Sequence, residues 1–223
     1  QFSGKESGNS VNEEKYRHEL KFMISRSQAE ILENSLNGVL KKDKHLLDKF
    51  YNIRSVYFDD IDHTCFFENE NGSDPREKFR IRIYNNDDSF IRLESKKKNR
   101  GMTQKLQCKI TRDQVEKIFR GESLGDFEAL PPLLKKFELQ RMCRLLSPDI
   151  IVDYDRIPYV YDLGNVRITF DMNMASSTEF GSFFQAELPK RPILQQDMML
   201  LEVKYDEFLP DYIEKLITPQ VNQ

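Results

Sequence analysis

The chain has 223 residues, 39% of them hydrophobic and 32% charged, with a formal net charge of only −3. That length supports a substantial core, and the near-neutral balance excludes a wholesale nucleic-acid binder, so any anion site has to come from local clustering of cations. Cys65, Cys108 and Cys143 lack CxxC spacing, which points to a reduced, cytoplasmic location without zinc; no apolar run approaches the roughly 18 to 20 residues of a membrane span, and no signal peptide is recognisable.

Residues 1–13 are polar and aperiodic and read as a flexible tail, leaving 14–223 as a single domain. "YRHELKFMI" opens it as a strand, and "SRSQAEILENSLNGVL" follows as a helix with Ser27 and Glu30 at capping-box spacing. "YNIRSVYFDD" reads as a strand, and so does "TCFFENENGSDP" before its Gly/Asp/Pro loop. In "REKFRIRIY" strict alternation puts Phe79, Ile81 and Ile83 on one face and Lys78, Arg80, Arg82 and Tyr84 on the other. "SFIRLESKKK" and "MTQKLQCKI" form two more strands around a basic loop at Asn99, Arg100 and Gly101. "TRDQVEKIFRG" is a short helix with a Thr111/Gln114 capping box and Gly121 at its end. "LPPLLKKFELQRMCRLL" is a longer helix offering Leu133, Leu134, Phe137, Met142 and Leu145 for burial. Strands "DIIVDYDRIPYV", "GNVRITFDMNM", "FFQAELP" and "MMLLEVKY" follow, and the helix "LPDYIEKLI" comes last. Few βαβ alternations occur, so the expectation is an α+β domain built on a closed antiparallel β-barrel or strongly curved sheet, with helices packed outside.

The alternation repeats from strand to strand. One face collects Lys21, Arg80, Arg82, Lys96, Lys105, Arg156, Arg167 and Lys204, with Tyr154, Arg92, Lys109, Thr169 and Asp171 in the same phase. For a single strand, a solvated polar face is the ordinary explanation. Repetition favours another one: with the apolar faces covered by helices, the basic faces line the inside of a barrel. Cations crowded there repel one another and need a dense polyanion such as a phosphate chain. Arginine suits phosphate through its planar donor fork, and lysine serves as a movable point charge. Among the carboxylates, Glu202, with Glu19 and Glu94 as further candidates, could hold Mn²⁺ or Mg²⁺, the alternative for each being an ion pair with a neighbouring cation. His18, His45 and His63 show no metal spacing, and GxSxG, P-loop and GxGxxG motifs are absent.

Taken in order, "HELKF", "SVYFDD", "REKFRIRIY", "RLESKKK", "QKLQCK", "VDYDR", "VRITFD" and "LLEVKY" resemble the VTC domain. This is the polyphosphate polymerase module of the vacuolar transporter chaperone complex and its bacterial relatives, within the triphosphate tunnel metalloenzymes. The resemblance runs from about Tyr16 to Leu209. It implies a closed basic tunnel in which the ATP γ-phosphate passes to a growing polyphosphate chain. It also implies that Lys21, Arg80, Arg82, Lys96 and Arg156 act at the reacting phosphates, that Lys105, Tyr154, Arg167 and Lys204 bind phosphate or nucleotide, and that Glu202 holds the metal. The implied partners are ATP and polyphosphate or triphosphate, without nucleic acid, and a membrane protein of a larger assembly at the inner face of a membrane. Two features depart from the family pattern. "RHELK" keeps one glutamate of the superfamily's ExExK, and the chain ends at "LITPQVNQ" without a counterpart of the family's "FSKY" segment. A truncated sequence and a truly missing element both remain open for that segment. Beside the polymerase stand two alternatives: a tunnel-type triphosphatase in which water is the acceptor, and a non-catalytic polyphosphate- or nucleotide-binding module.

Overall fold

The computed structural model describes residues 18–43, 46, 49–99 and 102–221. The tail expected at 1–13 and the loop residues Arg100 and Gly101 lie outside them. Ten strands alternate with five α-helices in chain order: β1 (His18–Ser25), α1 (Arg26–Leu36), β2 (Lys41–Lys42), β3 (Tyr51–Asp59), α2 (Thr64–Glu70), β4 (Arg76–Tyr84), β5 (Asp87–Asn99), β6 (Met102–Ile110), α3 (Arg112–Phe119), α4 (Pro132–Arg144), β7 (Ser147–Tyr161), β8 (Val166–Ser177), β9 (Arg191–Pro192), β10 (Met198–Tyr205) and α5 (Asp211–Val221).

Antiparallel pairing runs in the order β1-β10-β8-β7-β3-β4-β5-β6, with β2 on β7 and β9 on β8. Flat, the six strand steps from β1 to β5 would span roughly 29 Å at about 4.8 Å each. Yet Lys96 of β5 reaches Glu19 of β1 at 3.1 Å. The sheet therefore curls until its two ends meet, and the face carrying Lys96 and Glu19 is the inside of the curl. The expected closed barrel is corrected on one point: among the described residues no ladder joins β6 to β1, and the sheet is not closed by hydrogen bonds. A Lys–Glu bridge spans the ends, and two extended side chains hold the backbones farther apart than the spacing a ladder needs.

The convex face is apolar and buried in two patches. Val56, Phe79, Ile81, Ile83, Leu93 and Ile151 pack under α3 and α4 through Val115, Leu134 and Phe137. Ile24, Tyr159, Ile168, Phe170, Leu201 and Val203 pack under α1 and α5 through Leu32, Leu36, Ile213 and Ile217. Fully burying each such side chain is worth about 1.5–3 kcal/mol. Met142, within α4, and Leu145, which ends it at φ 55, are exposed rather than buried.

Three local readings are overturned, each by side-chain chemistry that reaches the backbone. The capping box of α1 is Ser25 with Gln28, Ser25 Oγ accepting the Gln28 amide, while Glu30 pairs with Arg26. "TCFFENE" is a helix despite its β-prone composition, because Asp60 accepts the Thr64 amide and Asp59 accepts those of Cys65 and Phe66. These carboxylates satisfy donors that a helix start leaves open. "FFQAELP" is not a strand: buried Arg54 donates through Nη1 to the carbonyls of Phe183 and Gln185 at 2.9 and 2.6 Å. Carbonyls held by a guanidinium are not available to a ladder, and Phe183 itself is buried in the core.

Candidate functional site

The strand registers stack the inward residues in rows. Arg82 of β4 is opposite Arg92 of β5, which is opposite Lys109 of β6. Lys78, Lys96 and Lys105 form a second all-cation row. Like charges directly opposite one another destabilise a sheet, so this half of the face is built at a cost to the fold. The β1–β10 pair is different, because its register sets opposite signs together, Lys21 with Glu202 and Glu19 with Lys204, although Lys204 faces Arg167 on its β8 side.

Between the two cationic rows lies Arg80, whose guanidinium holds Glu94 at 2.6 Å and the Tyr57 hydroxyl at 3.1 Å. Lys105 takes the other Glu94 oxygen at 2.9 Å. Burial opposes ionisation of Glu94, but Arg80, Arg82 and Lys105 outweigh it and lower its pKa to about 2. Tyr57 follows the same logic: burial opposes ionisation, and Arg80 and Arg82 bring its pKa below the usual phenol value. Arg82 is buried and donates to the Ser55 hydroxyl at 3.1 Å and the Tyr154 hydroxyl at 3.4 Å. It forms no ion pair among the described residues.

Arg156 forks onto Asp171 with two 2.6 Å bonds and reaches Glu202 at 3.4 Å. Glu202, itself buried, also holds Lys204 at 2.9 Å and Lys21 at 3.7 Å. Burial lowers the Lys204 pKa, only partly offset by Glu202 and Glu19. Glu19 bridges Lys21 at 3.2 Å and Lys96 at 3.1 Å, with Lys204 at 3.9 Å. Burial works against its ionisation, but Glu202 and the three lysines Lys204, Lys96 and Lys21 hold it well below the usual carboxylate range. Arg167 lies toward one end, on the Tyr51 hydroxyl and Asp43, both at 3.2 Å. Beside it, Thr169 is 1% exposed and its hydroxyl has no hydrogen-bond partner.

The nine cationic and tyrosine residues read from the sequence as reaction or phosphate residues thus lie on one curled face in three groups. Arg80 and Lys105 sit on Glu94. Arg82, Tyr154, Arg156, Lys204, Lys21 and Lys96 are joined through Tyr154, Glu202 and Glu19, and Arg167 sits on Tyr51 and Asp43. Of the metal candidates, Glu19 and Glu202 share Lys21 and Lys204 as partners across the β1–β10 pair, and their hard oxygen donors are of the kind that suits Mg²⁺ or Mn²⁺. Glu94 is instead committed to Arg80 and Lys105. A separate Asp59, His63 and Asp149 group has ligand atoms within 4.8 Å of one another, but Asp59 already serves the amides that start α2. Sequence reasoning passed over Ser55 and Tyr57. They share the inward phase of β3, and the signal was obscured by Arg54, which faces the core.

The family model described as the VTC domain matches residues 16–222. Among solved structures, a "putative adenylate cyclase" from Bacillus halodurans superposes with a TM-score of 0.50 at 11% identity, covering 92% of this chain and 87% of that one. A second protein of that description, from Vibrio parahaemolyticus, gives 0.48 at 11% identity, with 93% and 89% covered. A conserved hypothetical protein from Pyrococcus furiosus gives 0.45 at 15%, with 91% and 86% covered. At such identities the Bacillus likeness is one of fold. No curated protein sequence matches the chain. With its inward charged rows and a family match over nearly its whole length, the chain belongs to the VTC domain family.

Proposed function

We propose that the chain is a metal-dependent polyphosphate polymerase that transfers the γ-phosphate of ATP to the end of a growing inorganic polyphosphate. The observation that carries this reading is the pair of all-cation rows, Arg82–Arg92–Lys109 and Lys78–Lys96–Lys105, on the inside of the curl. A solvated sheet face has no reason to align like charges, whereas a phosphate chain supplies the missing anions.

Phosphoryl transfer asks mainly for in-line positioning and neutralised oxygen charge. Arg82 is held open by two hydroxyls and offers its remaining donors to a phosphate without first breaking an ion pair. Arg80 and Arg156 are oriented by Glu94 and Asp171 and add fixed positive charge beside it. The Thr169 hydroxyl and Lys204 complete the wall near Arg156. A terminal oxygen of the acceptor chain attacks the γ-phosphorus, the β–γ phosphoanhydride bond breaks, and ADP leaves, so no protein nucleophile is required. A divalent cation bound by Glu202 and Glu19 would supply further neutralisation of the transferring oxygens. Lys21 and Lys204, beside those carboxylates, add positive charge to the same wall.

Incubation with ATP and Mn²⁺, followed by separation of the products, tests the proposal. Long-chain polyphosphate with stoichiometric ADP is the expected result. Free phosphate alone would replace the polymerase with a triphosphatase, and bound ATP without turnover would replace it with a binding module.

A further inference from the structure

One end of the curled face carries rings rather than lysines. The Tyr51 and Tyr84 rings lie 6.0 Å apart, edge to face, and Tyr84 is 6.5 Å from Phe90. The Arg92 guanidinium sits over Phe90, 4.2 Å from its centroid, and Phe90 is still 40% exposed. The Tyr51 hydroxyl accepts from Arg167. These rings are placed by the strands that carry the phosphate residues. Tyr84 is two residues beyond Arg82 on β4, Phe90 is two residues before Arg92 on β5, and Arg82 and Arg92 are register partners. The ring cluster is therefore one inward step, roughly 7 Å along the strand, past the Arg82–Arg92–Lys109 row. The other cationic row, with Lys78 and Lys96, lies on the opposite side of Arg80 and Glu94.

We propose that Tyr51, Tyr84, Phe90 and Arg92 form a base-stacking platform for the nucleoside end of the nucleotide. This rests on the reading of the inner face as a phosphate site and gives that site a direction. The base stacks at the aromatic end, the triphosphate runs inward over Arg82 and Arg80, and the phosphate chain points toward the Lys78–Lys96–Lys105 row. Arg92 covers one part of Phe90, and the guanidinium plane together with the ring surface left exposed can take any base, because stacking on aromatic and arginine planes does not depend on base identity. The spacing suits a nucleotide, since the platform is about one nucleoside away from the nearest buried arginine. A bare phosphate chain would leave the rings unused.

The test compares two ligands that share the phosphates and differ in the nucleoside. Calorimetric titration of wild type and Phe90→Ala with ATP, and separately with inorganic triphosphate, reads the platform directly. Phe90→Ala should weaken ATP binding roughly tenfold more than it weakens triphosphate binding. Phe90 lies outside both core patches, so the variant keeps the fold. Equal weakening of both ligands, or of neither, would overturn the platform while the phosphate site stands. A wild-type protein that binds neither ligand would overturn both readings. Base-dependent ATP binding without polyphosphate product would overturn the polymerase and keep the platform.

Discussion

Arg82 shows how much of the site is decided by single side chains. It is 6% exposed, and its partners are the hydroxyls of Ser55 and Tyr154. A buried cation whose hydrogen bonds are all to neutral groups and that makes no ion pair is costly unless an anion arrives. Arg82→Ala should therefore cost triphosphate affinity about 10- to 100-fold, the worth of a hydrogen bond to a charged group, while the melting temperature of the ligand-free protein holds or rises. Calorimetry and thermal melts on the same samples check both halves. Glu94 makes the opposite case. Its folded pKa is about 2 against an ordinary 4.5, despite burial, because Arg80, Arg82 and Lys105 favour the charged form. A depressed carboxylate contributes stability that is fully present above the unfolded value and is lost as pH falls toward the folded one. Between pH 4.5 and 2, wild type should lose melting temperature more steeply than Glu94→Gln, and parallel curves would contradict the assignment.

At the scale of elements, strands were legible and their exceptions were not. The bounds of β4 and β6 coincide with "REKFRIRIY" and "MTQKLQCKI", and β10 with "MMLLEVKY", because a two-residue period with one buried face leaves little choice of register. The helix α2 and the loop at Phe183 escaped that reading. The causes differ: Asp59 and Asp60 accept the first amides of α2 from only four to seven residues upstream, a local cap hidden behind a β-prone composition, whereas Arg54 of β3 holds carbonyls about 130 residues away. Gly164 offers an element-level prediction. Its φ is +72, and a Cβ there would meet the Phe208 carbonyl oxygen at 2.8 Å. Gly164→Ala should cost about 1–3 kcal/mol through backbone strain and displacement of the segment leading to α5. Urea melts would show the loss, with triphosphate affinity unchanged below the transition. Removing the α1 cap with Ser25→Ala should cost about 1 kcal/mol in the same measurement.

For the whole molecule, the curl turns separate striped strands into a site, and it stores the repulsion of the two cationic rows. A polyanion that binds only the folded state stabilises it in proportion to the logarithm of its concentration over Kd. Triphosphate at a hundred times its Kd should add about 2.7 kcal/mol, several degrees of melting temperature for a chain of this size, and more at low ionic strength than at high. A melt indifferent to triphosphate at every salt concentration would contradict the site. Among the described residues, no helix is long and apolar enough to cross a membrane. The sequence by itself determined which residues alternate, and so which face of each strand is basic, since side-chain direction follows from backbone period alone. Only the tertiary structure decided the rest. Register set like against like in Arg82–Arg92–Lys109 and opposite against opposite in Glu19–Lys204, and curvature brought Lys96 to Glu19, 77 residues away in the chain, because pairing between strands and bending of the sheet are not properties of any one strand's period.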